Sequence, residues 1–324
     1  MNDEPLIGLI GLGYMGRNHA RVLARMEGIT FVGGADPAGD AHRALGGHAL
    51  FRTLEDLIDA GVDGVILATP AEDHEKSAIR LAEAGIHTLV EKPLANDLEG
   101  AVSIRDAFVG TGLVGAVGHI ERFNPALQEM KHRLSQRCLG RVFSIATRRA
   151  GPFPLRTYET GVVRDLASHD IDIVHWLLGR FATLTAELGH QIGADREDLV
   201  EAIGRLEDDT VVSISVNWLM PSKQRSVTVL GERGALVADL LTSDLTYYSN
   251  AAIPVEWEEM ARLKGVSEGD VTRYAIRKPE PLQSELEGFR DAIVGIPDAQ
   301  TVSLEDGIDV MEIAEAMLRG RFIR

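Results

Sequence analysis

The sequence predicts an α/β protein of two domains: an N-terminal doubly wound parallel sheet, then an α+β domain with an open, mostly antiparallel sheet. A length of 324 residues suits about two domains of roughly 150 residues each. Short apolar runs alternate with helical patterns over residues 1–120, which is typical of a parallel sheet. Beyond residue 120, consecutive β-like runs are separated by short turns, which indicates antiparallel pairing. We therefore expect domains at 1–120 and 121–324.

The elements of the first domain follow in the order expected of a parallel sheet. Residues 6–10 form a short apolar run, a helical pattern extends to about residue 26, and residues 30–35 form a second run of strand length. Apolar runs and helical spacing then continue to alternate. The later strands are predicted at 64–68, 87–90 and 113–117, and the later helices at 74–84 and 96–109.

The turn between the first strand and helix has a glycine pattern, Gly11-Leu12-Gly13-Tyr14-Met15-Gly16. The first glycine allows a tight turn, the second lets a pyrophosphate approach the backbone, and the third lets helix and strand pack closely. The helix N-terminus then favours the anion. Asp36 ends the next strand about 20 residues further on, where an acid binds the adenosine ribose. This unit predicts a Rossmann fold that binds a dinucleotide; the alternative is a tight turn without a ligand.

Asp36 predicts NAD rather than NADP as the cofactor. Its charge would repel a 2′-phosphate, and Pro37-Ala38-Gly39 supplies no cation to hold one. Ligands bind doubly wound sheets at the carboxyl ends of the strands. The strand ends at that edge are Gly11–Gly16, Asp36, Thr69-Pro70, Glu91-Lys92-Pro93 and Gly118-His119.

Lys92 ends a strand on the predicted ligand edge, within Glu91-Lys92-Pro93. A lysine there can hydrogen-bond a substrate hydroxyl and favour loss of its proton as hydride leaves the carbon. The proline after it fixes the local backbone. The alternative is an exposed lysine before a proline that starts a helix.

The second domain is predicted to be richer in strands. A helix of about ten residues follows residue 125 and ends near residue 135, and residues 251–280 are predicted to form a long loop. Ser303 is typical of the N-cap of a last helix at 304–318. The predicted strands are 140–149, 183–191, 199–206, 210–217, 225–230, 236–239 and 245–249.

Asp165 and His169 lie four residues apart on a predicted amphipathic helix, and therefore on one face. A carboxylate beside an imidazole can orient it and stabilise its protonated form, which suits a proton relay. The alternative is a helix N-terminus with favourable acids. The same helix contains three possible metal ligands at spacings of three, His169, Asp172 and His175. Their side chains would lie along the helix axis rather than around one point, so we predict no metal site.

Residues 131–156 contain seven basic residues and no acid. This stretch predicts an anion site for a phosphorylated or carboxylated substrate, and the alternative is a solvated basic face. Arg148 and Arg149 are adjacent on a predicted strand, so they point to opposite faces. The seven residues are Lys131, Arg133, Arg137, Arg141, Arg148, Arg149 and Arg156.

Composition argues against several classes of protein. Lys plus Arg is 33 and Asp plus Glu is 49, which gives a net charge of −16. That balance opposes nucleic-acid and anionic-membrane binding. The single cysteine, Cys138, excludes an intrachain disulfide. No apolar run reaches the ~18 residues of a membrane span, and the acidic first residues differ from a secretory signal. We therefore expect a cytoplasmic protein.

Taken together, these motifs resemble the Gfo/Idh/MocA oxidoreductases, named for glucose–fructose oxidoreductase and inositol dehydrogenase. The resemblance spans nearly the whole chain and includes Glu280-Pro281-Leu282 and Ser303-Leu304-Glu305-Asp306-Gly307. It implies a Rossmann domain followed by a domain with a large open antiparallel sheet. It also implies that Lys92, Asp165 and His169 lie beside the nicotinamide and the substrate carbinol and act in catalysis. The implied cofactor contacts are Gly11, Gly13, Tyr14, Met15, Gly16, Asp36, Thr69, Pro70, His74, Glu91 and Lys92.

Within the family, residues 118–125, 148–154 and 165–172 resemble members that act on UDP-linked sugars. This resemblance implies oxidation of UDP-N-acetylglucosamine, or a close UDP-sugar, at carbon 3. It also implies a homo-oligomer, a dimer or tetramer, and a downstream aminotransferase. The chain departs from the family pattern in two places, because the usual glycine run is reduced to Gly161 and Ala71-Glu72-Asp73 replaces an asparagine. The implied substrate contacts are Lys92, His119, Arg122, Phe123, Asn124, Arg148, Arg149, Arg156, Asp165 and His169.

Two other functions are open at this stage. One is an inositol or free-sugar dehydrogenase of the same family. The other is a dinucleotide-binding regulator without catalysis, which Lys92, Asp165 and His169 together argue against because a sensor needs none of them. Either Lys92 or His169 would accept the hydroxyl proton, while Asp165 would orient His169.

Overall fold

The chain, seen in a computed structural model, divides into two compact units. The first unit comprises Met1–Phe123 and Pro279–Glu312, and the second comprises Asn124–Lys278 and Ile313–Arg324. The structure describes residues 4–153, 160–192, 196–250 and 268–323.

Strands and helices follow the predicted order, with a few additional elements. The strands are β1 (Leu6–Ile10), β2 (Thr30–Ala35), β3 (Ala49–Phe51), β4 (Gly64–Leu67), β5 (His87–Glu91), β6 (Gly115–Gly118), β7 (Val142–Ala150), β8 (Phe181–Gly189), β9 (Leu199–Leu206), β10 (Val211–Asn217), β11 (Gln224–Gly231), β12 (Gly234–Asp239), β13 (Asp244–Asn250), β14 (Glu268–Arg273) and β15 (Arg321–Ile323). The helices are α1 (Tyr14–Leu23), α2 (Leu54–Asp59), α3 (His74–Glu83), α4 (Leu98–Phe108), α5 (Pro125–Ser135), α6 (Ser168–Leu178), α7 (Pro281–Ile293) and α8 (Leu304–Leu318).

The first unit contains a parallel sheet with the strand order β3-β2-β1-β4-β5-β6. Each neighbouring pair is parallel, as predicted for a doubly wound fold. All four residues of β4 are buried, which explains why its sequence is a continuous apolar run rather than an alternating one. The carboxyl ends of β1, β2, β4 and β5 are the edge that carries the predicted cofactor residues.

The core of the first unit includes two helices from the end of the chain. Leu282, Leu286 and Phe289 of α7 are buried in one cluster with residues of β1 and α1. Val302 and Leu304, at the start of α8, are buried in a second cluster with residues of α3 and α4. The predicted division at residue 120 therefore needs correction: residues 279–312 return to the first unit because its sheet is covered by their apolar side chains.

The second unit contains a mostly antiparallel sheet, which the sequence also predicted. Among the described residues its strand order is β14-β13-β12-β11-β7-β10-β9-β8-β15, and β7 and β10 are paired in parallel. α6 packs against β7 and β10. The prediction of one loop across 251–280 was wrong at its C-terminal end, because residues 268–273 form β14, whose backbone pairs with β13.

Candidate active site

The glycine turn between β1 and α1 excludes side chains at two positions and accepts one at the third. Gly11 has a φ of +86°, and a Cβ there would lie 2.5 Å from the carbonyl oxygen of Ala68. A Cβ at Gly16 would overlap the carbonyl oxygen of Gly11. A Cβ at Gly13 would meet nothing within 4 Å. Folding therefore does not require the second glycine, and the open space beside it is where a pyrophosphate can approach the backbone.

The first turn of α1 also fits an anion. Its N-cap, Gly13, provides no side-chain cap, and the turn contains no acidic residue, so its backbone N–H groups are left for a ligand. Tyr14 and Met15 occupy this turn, and the Tyr14 side chain is exposed. The guanidinium of Arg17 lies 5.8 Å from the centre of the Tyr14 ring. The residues present thus fit the pyrophosphate of a dinucleotide.

Asp36, just after β2, holds the glycine turn and the following loop together. Its Oδ2 accepts a hydrogen bond from the Leu12 amide at 2.8 Å, and its Oδ1 accepts one from the Ala38 amide at 2.8 Å. Arg52, a residue that the sequence analysis missed, reaches the same loop and donates to the carbonyl oxygen of Pro37 at 3.2 Å. It was missed because it follows the three-residue edge strand β3, which was not predicted.

His74 was predicted to contact the cofactor, but its ring is turned toward the backbone. The side chain is 1% exposed, with Nδ1 at 3.0 Å from the Pro93 carbonyl oxygen and Nε2 at 2.9 Å from the Thr69 carbonyl oxygen. Burial lowers the pKa of His74. His74 therefore joins the end of β4 to the segment after β5. Thr69, at that end of β4, is partly exposed, and Pro70 is exposed.

Glu91 ends β5 and forms a buried pair with His19 of α1. Nε2 of His19 lies 2.6 Å from Oε1 of Glu91, and the two residues are 0% and 6% exposed. The other carboxylate oxygen, Oε2, accepts a hydrogen bond from the Lys92 amide at 3.2 Å. Burial opposes ionisation, but the His19 hydrogen bond and the positive charge of Lys92 outweigh it and lower the pKa of Glu91. Lys92 itself is partly exposed and precedes a cis bond to Pro93.

His19 was not predicted from the sequence as a site residue. The available signal was a histidine three residues after Gly16, on the face of α1 that faces the sheet. A histidine at that position has no surface to reach, so it needs a buried polar partner.

Four residues that were predicted to contact substrate are buried: His119, Arg122, Phe123 and Asn124. His119 is 3% exposed, and Phe123 belongs to a hydrophobic cluster of the first unit. Arg122 donates from Nη1 to Oδ2 of Asp306 at 3.1 Å. Asn124 caps α5 with its side-chain oxygen and donates to a backbone carbonyl after β12. These contacts give Arg122, Phe123 and Asn124 structural roles, and their contacts with substrate stay a prediction.

Asp165 and His169 follow one another on a π-helical turn and α6. The π turn spans Val163–Ala167 and contains Asp165, whereas the sequence predicted one regular amphipathic helix from Asp165 onward. His169 is in the first turn of α6, and both side chains are partly exposed. Single π turns occur frequently at functional sites.

Glu197, which the sequence analysis did not single out, supports the start of this segment. Its Oε1 accepts a hydrogen bond from the Val163 amide at 3.1 Å, and its carbonyl oxygen accepts one from the Val162 amide at 2.9 Å. A Cβ at Gly161 would overlap the Glu197 carboxylate. Gly161 is the position to which the family's usual glycine run is reduced in this chain. A side chain there would displace the Glu197 carboxylate, so the Glu197 contact requires this glycine.

Within the described part of the basic stretch, Arg148 and Arg149 point to opposite faces of β7, as predicted. Arg149 is 2% exposed and donates from Nε to Oδ2 of Asp170, on α6, at 2.7 Å. Arg148 is exposed and, as its neighbour on β7, points to the sheet face opposite α6. Arg156 lies outside the described residues. Arg149 thus neutralises a buried acid, and its contact with substrate stays a prediction.

The spacing of His169, Asp172 and His175 does not form a metal site. Asp172, from the rejected metal spacing, is 0% exposed. No group of three or more His, Cys, Asp or Glu residues that could hold a metal ion occurs among the described residues. No helix in that part of the chain is long and apolar enough to span a membrane.

Two family models match the chain. The model described as "Oxidoreductase family, NAD-binding Rossmann fold" matches residues 6–137, and the model described as "GFO/IDH/MocA C-terminal domain" matches residues 127–237. The chain belongs to the Gfo/Idh/MocA oxidoreductases. The predicted fold, the predicted cofactor NAD and the predicted class, an NAD-dependent oxidoreductase acting on a CH–OH group, are thereby confirmed at the level of the family.

Similar members of the Gfo/Idh/MocA family include dehydrogenases of two substrate types. The chain is 29% identical over 292 residues to UDP-N-acetylglucosamine 3-dehydrogenase of Acidithiobacillus ferrooxidans, covering 88% of each chain. A solved structure of that enzyme superposes with a TM-score of 0.83 at 27% identity, covering 96% of this chain and 95% of the other. The chain is 34% identical over 202 residues to inositol 2-dehydrogenase 2 of Saccharopolyspora erythraea, covering 59% of each.

Proposed function

We propose that this family member oxidises the 3-hydroxyl of UDP-N-acetylglucosamine, or of a close UDP-linked sugar, to a 3-keto sugar with NAD. The supporting observation is the extent of the likeness: the UDP-N-acetylglucosamine 3-dehydrogenase matches over 88% of both chains, and the inositol dehydrogenase over 59%. A protein built for inositol would be expected to resemble the inositol enzymes through the second unit as well.

The proposed chemistry assigns a role to three partly exposed side chains. When bound, NAD supplies a hydride acceptor. Lys92 or His169 takes the hydroxyl proton as the C–H bond at carbon 3 breaks. Asp165 orients the imidazole of His169, because a carboxylate that accepts a hydrogen bond from an imidazole fixes the tautomer and orientation of the ring. In the first unit, Gly13 and Asp36 are the proposed contacts to the pyrophosphate and the ribose.

The two arginines of the basic stretch that the structure describes on β7 do not by themselves support the substrate assignment. Arg149 is paired with Asp170, and Arg148 points away from the face that α6 covers. The proposal therefore rests on the similar enzymes and on the three catalytic side chains. We also propose that the protein is cytoplasmic and forms a homo-oligomer, as predicted. Light scattering measures the oligomeric state directly.

The deciding experiment measures NADH formation with UDP-N-acetylglucosamine, N-acetylglucosamine, myo-inositol and glucose. A coupled aminotransferase removes the ketone, so that an unfavourable equilibrium does not hide turnover. Substrate deuterated at carbon 3 identifies the position, because deuterium is recovered in the reduced cofactor only if that bond breaks. We expect turnover with the UDP-sugar and label in NADH.

Variants separate the enzyme from a non-catalytic regulator. Removing a proton-transfer group typically costs about 10²–10⁴-fold in rate, so Lys92→Ala and His169→Ala should bind NAD and turn over at least about 10²-fold more slowly. Equal rates on the free sugars would favour the inositol or free-sugar alternative. Wild-type rates in both variants would exclude the proposed catalytic roles.

A further inference from the structure

Lys92 lies between two residues that are each contacted by a buried histidine. Glu91, before it, pairs with His19 of α1, and the carbonyl of Pro93, after it, faces His74 of α3. All five residues belong to the first unit. The two histidines come from different helices, so they approach the Glu91-Lys92-Pro93 segment independently.

The His19 contact fixes the Glu91 carboxylate on one side. Because the pKa of Glu91 is lowered, the carboxylate is ionised near neutral pH and the Nε2–H of His19 donates to it. Nδ1 of His19 has no hydrogen-bond partner among the described residues, so the contact to Glu91 is what orients the ring. The other oxygen of Glu91 holds the backbone amide of Lys92. A chain of hydrogen bonds therefore runs from α1 to the Lys92 backbone.

His74 holds the other side when its ring carries the proton on Nδ1. Its Nδ1 faces Pro93 and its Nε2 faces Thr69, both at carbonyl oxygens. Burial lowers the pKa of the ring, so the neutral form predominates near pH 7 and donates to one carbonyl at a time. The ionisable groups around Glu91 are His19 from α1, Lys92 beside it and His74 from α3.

We propose that His19 and His74 are positioning residues that together set the place of the Lys92 amine. The inference rests on the proposed proton-transfer role of Lys92. A lysine side chain is long and flexible, so its amine is only as well placed as the backbone from which it extends. A displacement of about 1 Å at a reacting group can cost roughly 10²-fold in rate, and anchoring both neighbours of Lys92 limits such displacement.

Amide side chains test the two contacts separately. The nitrogen of Gln corresponds to Nε2 of a histidine and that of Asn to Nδ1. His19→Gln therefore keeps a donor to Glu91, and His19→Leu removes it. His74→Asn keeps the donor toward Pro93, and His74→Gln keeps only the donor toward Thr69. The two amide variants at position 74 keep the comparison possible even if removal of His19 impairs folding.

Two readouts are needed for each variant. The first is kcat, with NADH affinity measured separately by fluorescence. We expect His19→Leu and His74→Gln to lose about 10- to 100-fold in kcat at nearly unchanged NADH affinity, and His19→Gln and His74→Asn to recover much of it. The second is the acylation rate of Lys92 relative to the exposed Lys76, followed by mass spectrometry at several pH values. We expect this acylation rate to change in His19→Leu and His74→Gln, and to stay as in the wild type in His19→Gln and His74→Asn.

The outcomes distinguish this inference from the proposed function. Normal turnover in Lys92→Ala would reject the catalytic role of Lys92, while the acylation ratio still reports whether the histidines position its amine. Wild-type kcat and acylation in His19→Leu, or identical behaviour of His74→Asn and His74→Gln, would overturn the positioning role. His42→Ala, at an exposed position, is the matched control and should change neither readout.

Discussion

Phe289 provides the sharpest test of the domain organisation. Its side chain is 1% exposed and lies in the hydrophobic cluster that joins α7 to Ile7, Leu9 and Ile66 of the first sheet. A buried aromatic side chain removes about 200 Å² from water, which at ~25 cal/mol per Å² is about 5 kcal/mol. Phe289→Ala, which keeps the β-carbon but leaves a cavity, should therefore cost about 3–5 kcal/mol.

This loss should appear in the first unit. All three tryptophans lie between residues 124 and 278, so tryptophan fluorescence reports the second unit, and NADH fluorescence reports the first. In urea, we expect Phe289→Ala to lower the midpoint of NADH binding far more than the midpoint of tryptophan fluorescence. Ile296→Ala, at a 51% exposed position just after α7, should stay within about 0.5 kcal/mol. Equal losses in the two variants, or a loss below about 1 kcal/mol for Phe289→Ala, would show that α7 is not part of this core.

Three further predictions concern the glycine turn, the cofactor and acid stability. Gly13→Ala should fold normally but weaken NAD binding, because its Cβ projects into open space, whereas Gly16→Ala should lose stability in thermal melts, because its Cβ overlaps the backbone. Asp36→Asn should raise the ratio of NADP to NAD turnover, since it removes the repelling charge beside Arg52; an unchanged ratio would contradict the assignment of Asp36. Hydrogen bonds from Lys278 and Arg273 hold the pKa of Asp244 at about 2, below its ordinary 3.8. The ionised carboxylate of Asp244 therefore stabilises the folded state above about pH 4, and this stabilisation is lost as the pH falls toward 2. Asp244→Asn should flatten that part of the acid unfolding curve.

Local sequence patterns predicted the elements of the first sheet well. The glycine turn and Asp36 follow from chemistry within one βαβ unit, where spacing along the chain fixes spacing in the fold. The return of residues 279–312 could not be predicted in this way. The 3.6-residue spacing of apolar side chains shows that one face of a helix is buried. That spacing does not show which sheet the face packs against.

Charged residues show the same limit more clearly. Alternation along a strand correctly separates Arg148 from Arg149, but it does not say which of them faces α6. Asp170, the partner of Arg149, belongs to a helix that comes later in the sequence. A buried arginine and a surface arginine are identical in composition, so a count of cations between 131 and 156 overestimated the charge that a ligand can meet.

Exposure and pairing divide the predicted site residues into two groups. Arg122, Asn124 and Arg149 are buried, and each is held by a hydrogen bond within its own unit. Lys92 and His169 remain partly exposed, each on a segment that buried groups hold in place. Because proton transfer needs a group that is both reachable and fixed, this combination supports the catalytic assignment more strongly than the charge pattern that first suggested the substrate.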